Sequence, residues 1–352
     1  MTTPLPAAGG SPAAGGSPAA GSSSAPGSAS APGSASAASS ASAAGGSPAA
    51  GSASATANPG NIYDLGYQGY DGPRLGRRHA VWALYVYSLR GTFGIGRSGR
   101  AKLAPFGFAF LALLPALIAV GVTALLTQAG RPPGIESPIG YDTYLGFSLT
   151  LMILFCAAQA PELLGRDQRY HVLPLYFSRA LRRADYALAK LLALWTALVL
   201  VFLAPEALIF AGRVLAARDV PAAFVDNVAA VPPILAVCAS ASLLLGGISL
   251  ALASFTPRRA YATASIIAAF IIPPIVASIV AELASGSITR VVVLLDPTDM
   301  LDGANAWFFG RSADSEVLRA AALPDPLYAV GVITYGVVAA LATLRRYMRI
   351  AA

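Results

Sequence analysis

The segment from Pro161 to Tyr186 mixes charged with large apolar side chains and lies between two apolar blocks long enough to cross a membrane. The apolar residues that stand between its charges are Leu173, Leu175, Tyr176, Phe177 and Leu181. A loop that only fixed topology would need its arginines alone, so this mixture favours a surface that docks a partner. Packing of the same apolar residues against the membrane face is the alternative that the spacing leaves open.

Two polar side chains interrupt the apolar blocks themselves. Glu206 lies within the block Leu191–Gly212, about six residues and hence roughly 9 Å from the end of that block. A carboxylate inside a membrane span is a functional hypothesis by default. Three roles stay open for Glu206: it contacts substrate, it transfers protons, or it is protonated and hydrogen-bonded to a neighbouring Tyr or Ser. Gln159 is the second candidate for a substrate pathway.

Nucleotide and metal motifs are absent or out of context. No Gly-x-x-x-x-Gly-Lys-Ser/Thr sequence occurs, so this chain does not bind ATP through a P-loop, and its two histidines are too few for a histidine-based metal site. A Gly-x-Gly-x-x-Gly match is followed by an apolar span and favours a flexible elbow over a dinucleotide site; its residues are Gly94, Gly96 and Gly99. The sequence therefore predicts no catalytic, cofactor-binding or metal-binding residue, and we do not expect an enzyme.

Four other residues match the start of the metal-binding motif of membrane phosphotransferases that use CDP-alcohols, namely Asp299, Asp302, Gly303 and Ala306. The match then ends, because Trp307 replaces the arginine of that motif and the later glycine and paired aspartates do not occur. Asp296 and Asp299 are better explained as helix caps. The phosphotransferase remains a minor alternative.

Six apolar blocks predict an all-α membrane protein with six transmembrane helices. The chain is 56% hydrophobic and only 12% charged, against about 25% charged residues in soluble domains. Each block is long enough to cross a hydrocarbon layer of about 30 Å. The predicted spans are approximately 104–126, 144–162, 189–212, 228–254, 261–283 and 326–344.

Basic residues flank these spans asymmetrically. With a cytoplasmic amino terminus, eighteen of the 24 lysines and arginines lie on the cytoplasmic side. The positive-inside rule therefore predicts that both termini are cytoplasmic, with a transmembrane domain at 103–344 and a cytoplasmic tail at 345–352. The net charge of +7 indicates this topology and contact with the lipid bilayer, not nucleic acid, because the basic residues form no stripe interleaved with aromatics.

Three further segments flank or connect the spans. Residues 1–60 are nearly all Ala, Gly, Ser, Pro and Thr, which predicts a disordered tail. Residues 61–102 are predicted to be a cytoplasmic juxtamembrane segment, in which the basic and aromatic stretch 77–100 forms an interfacial elbow helix before the first span. The outer loop 283–325, between spans five and six, either dips into the outer leaflet as a re-entrant segment or packs on the bundle.

The charged segment resembles the cytoplasmic loop of ABC-2-type permeases, the membrane subunits of bacterial ABC exporters. In that family an acidic residue ends the second helix, an Arg–acidic pair and a short leucine-bearing helix follow, and Ser-Arg and an acidic residue lead into the third helix. The matching residues are Glu162, Arg166, Asp167, Leu173, Leu175, Ser178, Arg179 and Asp185. The stretches 63–78 and 307–310 are similar to actinobacterial members, and the resemblance covers roughly residues 62–350.

This resemblance implies a permease subunit that forms the substrate pathway of an ATP-driven exporter in the bacterial cell membrane. A separate ATPase subunit would bind ATP and Mg, and a second permease subunit, identical or different, would complete the pathway. The loop 163–186 would be the coupling helix seated in the ATPase, through Glu162, Arg166, Asp167, Arg169, Arg179, Arg182, Arg183 and Asp185. The alternatives are a proton-coupled secondary transporter that uses Glu206, and a membrane scaffold or sensor without transport.

Overall fold

The computed structural model describes residues 72–73, 75–129, 139–178, 181–283, 286–313 and 315–349. Within these ranges the chain is all-α and contains no strand, as predicted. The predicted tail of residues 1–60 and the predicted coupling residue Arg179 lie outside the described residues. The helices are α1 Gly76–Thr92, α2 Gly99–Gln128, α3 Tyr144–Ala160, α4 Arg166–Arg169, α5 Leu173–Phe177, α6 Arg183–Ala216, α7 Val220–Val228, α8 Val231–Phe255, α9 Arg259–Leu283, α10 Ser287–Leu295, α11 Pro297–Phe308, α12 Glu316–Ala321 and α13 Asp325–Arg349.

Among the described residues, six helices are long and apolar enough to cross a membrane, and each overlaps one predicted span. They are α2, α3 with its continuation to Arg169, α6, α8, α9 and α13. Most extend beyond the predicted limits because the backbone hydrogen-bond ladder continues past the apolar block into polar residues. Helices α2, α6 and α9 continue through their internal prolines. The chain is therefore a multi-pass membrane protein.

Three of the six helices form the centre of the bundle. In the most apolar part of α3, α6 and α8, between 50% and 67% of the residues are buried within the chain, against 17% to 28% in α2, α9 and α13. Helices α8 and α13 approach most closely at glycines, since a Cβ on Gly247 would lie 2.8 Å from the carbonyl oxygen of Gly336. Such small residues let two membrane helices pack backbone to backbone. The outer helices leave broad apolar faces for lipid or a partner.

Helices α10 and α11 form a hairpin in which α11 packs against α13 and α10 packs mainly against α9 and α12. The Tyr335 hydroxyl donates to the carbonyl of Leu294, and a Cβ on Gly303 would meet the Tyr328 ring. Tyr335 lies ten residues, roughly 15 Å, along α13 from its first residue. The segment between spans five and six therefore packs on the bundle, and because this contact lies along the span itself the predicted re-entrant arrangement stays open.

Helix α1 lies along α6 before the chain turns into α2. At one end of the interface between α1 and α6, Arg77 donates a hydrogen bond to Asp185, and at the other end Tyr85 donates one to Thr196 Oγ1. In the turn, Gly94 has a φ of 68°, and a Cβ there would lie 2.6 Å from the carbonyl oxygen of Ala101. The Gly-x-Gly-x-x-Gly sequence thus forms the turn between α1 and the start of α2. The interfacial position of α1 stays a prediction.

Candidate functional site

The charged segment begins as a continuation of α3, but the type of helix changes at that point. Pro161 has no backbone N–H and cannot extend the α-helical ladder, and residues Pro161–Gly165 form a π-helical turn before α4. His171, with a left-handed φ of 51°, then separates α4 from α5. Two short helices therefore lie between α3 and α6. We call this end of the bundle the α4–α5 end.

Asp167 faces into the protein. Its Oδ2 lies 2.9 Å from Lys190 Nζ and accepts a 2.7 Å hydrogen bond from the Tyr186 hydroxyl. The Lys190 side chain is only 4% exposed, so Asp167 neutralises a cation that would otherwise be buried alone. Both partners belong to the first two turns of α6. Asp167 therefore fixes α4 to α6, and its carboxylate is engaged inside the chain.

Gln168 fixes the same short helix to two other spans. Its Nε2 donates to the Tyr347 hydroxyl at 2.7 Å and to the carbonyl of Ser254 at 3.2 Å. Arg346 Nε donates to the same carbonyl at 2.5 Å. Helix α4 is thereby connected to the last turns of α8 and α13. Sequence reasoning missed Gln168 because no local pattern pairs it with residues 86 and 179 positions away.

Glu162 joins two elements that are distant in sequence. Its Oε2 lies 3.3 Å from Arg97 Nη1, in the turn before α2, and its Oε1 lies 2.7 Å from Arg259 Nη1, at the start of α9. The carboxylate thus bridges the first and fifth spans at the point where α3 ends. All three side chains are partly exposed, so solvent screens both ion pairs.

Asp185 is engaged in the same way. Its two oxygens accept hydrogen bonds from Arg77 Nη2 at 2.6 Å and Arg77 Nε at 2.7 Å, a bidentate pair between α1 and α6. The backbone N–H of Arg182 also donates to Asp185 Oδ2 at 3.0 Å, which caps the first turn of α6. Arg77 was missed as a partner because it lies 108 residues earlier in the sequence.

Three further predicted coupling residues are exposed, namely Arg166, Arg169 and Arg182. The exposed residues of α4, α5 and the start of α6 combine basic and apolar side chains, and we call them the α4–α5 surface: Arg166, Arg169, Tyr170, Leu175 and Arg182. Arg183 is half-buried, with its guanidinium 5.8 Å from the centre of the Phe177 ring. Beside this surface, an open cleft of about 430 Å³ separates α1 from α4 and α5.

The two predicted pathway residues do not meet. Glu206 is 6% exposed in α6, ten residues before that helix ends, and its Oε2 has no hydrogen-bond partner within the described part of the chain. Gln159 is also 6% exposed, but it is the penultimate residue of α3, beside the π-helical turn. Because α3 begins at the end of the bundle where α6 finishes, the two residues lie toward opposite ends.

An aromatic and basic cluster closes the end of the bundle nearest Glu206. The Arg213 guanidinium carbon lies 4.3 Å from the centre of the Tyr141 ring, and the Tyr141 hydroxyl donates to Asn227 Oδ1 at 3.0 Å. Burial raises the pKa of Tyr141 above its usual value, while Arg213 opposes that increase. Asp142, next in sequence, forms a 2.8 Å ion pair with Arg311. Glu206 also acts electrostatically on Tyr141, so the cluster lies near that carboxylate.

Two neighbouring aspartates, predicted as helix caps, lie at the start of α11. Asp296 is fully buried and caps α11, accepting bonds from the backbone N–H and the hydroxyl of Thr298, each at 2.8 Å. Asp299 lies in the first turn of α11, so only the first of the two predicted caps is correct. Burial and the neighbouring Asp296 raise the pKa of Asp299 to about 7. Among the described residues, no group of three or more His, Cys, Asp or Glu is arranged to hold a metal ion.

Comparison with known proteins adds no relative from which a role for these residues could be transferred. No protein-family model matches the chain, and no curated protein sequence matches it. The six helices define a multi-pass membrane protein, and any finer function must be argued from the α4–α5 end and Glu206.

Proposed function

We propose that the chain is the permease subunit of an ATP-driven exporter of ABC-2 type, coupled to a separate ATPase through the α4–α5 surface. One observation carries the proposal. Within a single turn, Asp167 and Gln168 face inward and bind α6, α8 and α13, whereas Arg166 and Arg169 face outward. A partner docked on the exposed side of α4 would therefore act on three spans.

The chemistry of the exposed side supports docking of a protein. Tyr170 and Leu175 are 66% and 68% exposed beside the arginines, a combination that suits an apolar contact surrounded by acidic residues on the partner. In this proposal the partner binds ATP and Mg, and it lies in the cytoplasm with both termini of this chain. In sequence, most of the basic residues flank the spans on the same side as the segment 163–186, which favours that orientation.

The proposal also includes a second permease subunit. Helices α2 and α9 each bury only 17% of their most apolar part, so they leave apolar surface for another membrane protein or for lipid. The substrate pathway would then lie between two bundles. Its sparse charge favours a lipophilic substrate.

The decisive experiment tests docking and coupling together. The tagged chain is purified in mild detergent from its native membrane, and the co-purifying P-loop ATPase is identified by mass spectrometry and reconstituted with it. The double variant Arg166→Glu and Arg169→Glu should abolish ATPase binding and vanadate-sensitive transport without reducing the amount of folded chain. Arg345→Glu, an exposed charge reversal near the end of α13, is the matched control.

Three results would refute this function. They are normal coupling in the double variant, an equal loss in the control, and a tag-accessibility map that places α4 and α5 outside the cell. Purification without any ATPase and without substrate flux would instead favour a scaffold or sensor.

A second candidate, proton-coupled transport, rests on the buried Oε2 of Glu206. A carboxyl group that must bind and release a proton cannot be replaced by an amide. Glu206→Gln would therefore abolish vanadate-insensitive, proton-gradient-driven uptake if this candidate is right. Retained transport in Glu206→Gln, together with sensitivity to vanadate, would exclude it.

A further inference from the structure

We propose that an anionic phospholipid with two acyl chains binds beside α6, with its phosphate at Arg78 and one chain in each of two grooves. None of the residues of the α4–α5 surface lines either groove. The inference does not depend on coupling to an ATPase.

The first groove lies between α1 and α6 and has a volume of about 840 Å³. Val81, Trp82 and Leu188 provide apolar walls, and the Tyr85–Thr196 hydrogen bond holds the two helices together across the groove. Trp82 is 62% exposed, although it lies beside an apolar groove. A large aromatic side chain in such a place is typical of the boundary between headgroups and hydrocarbon.

The second groove lies between α6, α8 and α13 and has a volume of about 650 Å³. Its lining is almost wholly apolar and includes Leu243, Ile333 and Leu344. Along α8 it extends from Ala236 to Gly247, eleven residues and hence roughly 16 Å. That length is close to half of a hydrocarbon core of about 30 Å, so the groove matches an acyl chain of one leaflet.

A single ridge of α6 separates the two grooves. Leu188, Leu192 and Trp195 line both of them, and their spacing places them on one face of the helix. The Trp195 indole is fixed by donating to the carbonyl of Ala239 at 3.1 Å. A lipid with two chains can straddle this ridge, whereas a single-chain ligand would fill only one side.

The charge at the mouth of the first groove specifies the headgroup. Arg77 and Arg78 both line it, but the carboxylate of Asp185 neutralises Arg77 through the bidentate pair. Exposed Arg78 therefore leaves the mouth with a net positive charge. Basic residues at the membrane surface attract anionic lipids, and a guanidinium binds phosphate oxygens directly.

The test uses defined lipids. The full chain is delipidated in mild detergent and mixed with equal amounts of phosphatidylglycerol and phosphatidylcholine that carry the same acyl chains. Native mass spectrometry then counts the bound lipids. We expect one retained phosphatidylglycerol per chain, and Arg78→Gln should lower its preference over phosphatidylcholine about fivefold, as expected for one basic residue near a lipid surface. Arg90→Gln, an exposed arginine on α1 outside both grooves, should change nothing.

A second variant tests the grooves instead of the headgroup. Leu192→Trp adds bulk that fills part of both grooves and should reduce retention of both lipids. Leu200→Trp is the control, because Leu200 is as exposed on α6 as Leu192 but lines neither groove. Size-exclusion chromatography verifies that both variants are folded.

The proposal is wrong if the wild-type chain retains the two lipids equally or if Arg78→Gln behaves like Arg90→Gln. It is equally wrong if Leu192→Trp keeps its lipid but separates a dimer into monomers. That last result would assign the same face to a second copy of the chain.

Discussion

Lys190 and Asp167 form an ion pair of 2.9 Å in which the lysine side chain is 4% exposed and the aspartate 14%. The pair joins the short helix α4 to the second turn of α6. The Lys190 ammonium also lies 5.4 Å from the centre of the Tyr186 ring. The charge of Lys190 is therefore compensated entirely from within this end of the bundle.

Asp167→Asn should strongly destabilise the protein, because it leaves the Lys190 cation buried without a counter-charge. Removing one partner of a buried pair costs about 3 kcal/mol or more. Thermal unfolding in detergent should show a lower midpoint, and Asp167→Asn combined with Lys190→Met should recover much of the loss. Arg169→Gln, on the exposed side of α4, is the control. An unchanged midpoint in Asp167→Asn would contradict this account.

Glu162→Gln should have a smaller, salt-dependent effect. The two ion pairs of Glu162 are partly exposed, and such pairs contribute roughly 0–1 kcal/mol each. The difference in midpoint between variant and wild type should shrink as NaCl is raised, because salt screens exposed charges. A difference that does not change between low and high salt would mean that Glu162 acts through packing.

Gly247→Ala should loosen the contact between α8 and α13. The added methyl group would lie 2.8 Å from the Gly336 carbonyl oxygen, which forces the two helices apart. Overpacking of this kind costs about 1–3 kcal/mol, measured as a lower unfolding midpoint. Gly121→Ala is the matched control, because a Cβ at that position in α2 meets nothing within 4 Å. Equal midpoints for the two variants would refute the close approach.

Asp299 should make stability depend on pH. Its pKa of about 7 in the folded chain lies above the value of 3.8 for the free side chain. A carboxyl group with a raised pKa is stabilising as the acid, so stability falls as pH rises from about 4 through 7. The unfolding midpoint should therefore drop between pH 5 and pH 8, and Asp299→Asn should flatten that drop. Asp302→Asn, an exposed carboxylate on the same helix, should leave most of it.

The spans were predictable because each is a block of apolar residues, bounded by charged residues, that is long enough to cross a membrane. The six predicted spans are confirmed as helices, and only their ends differ. Helix α8 begins at Val231, not at residue 228, because Pro232 and Pro233 fit the first turn of a helix. The packing of the α10–α11 segment on the bundle was not predictable, since that depends on contacts such as Gly303 with Tyr328.

The direction of each charged side chain at the α4–α5 end was not predictable. A charge pattern identifies the segment, but neighbouring residues on a short helix point about 100° apart, and only tertiary contacts decide which one faces inward. Arg166 and Asp167 looked equivalent in sequence, yet Asp167 binds Lys190 whereas Arg166 is exposed. The prediction that all eight residues couple to a partner remains untested.

The π-helical turn Pro161–Gly165 determines which side of α4 faces the bundle. Its i→i+5 hydrogen bonding accommodates an additional residue per turn before α4 resumes ordinary geometry. Deleting one residue from this turn would rotate α4 by about 100° about its own axis. Asp167 would move away from Lys190 and the arginines of α4 would face a different side, so this five-residue turn determines which way the charged helix faces.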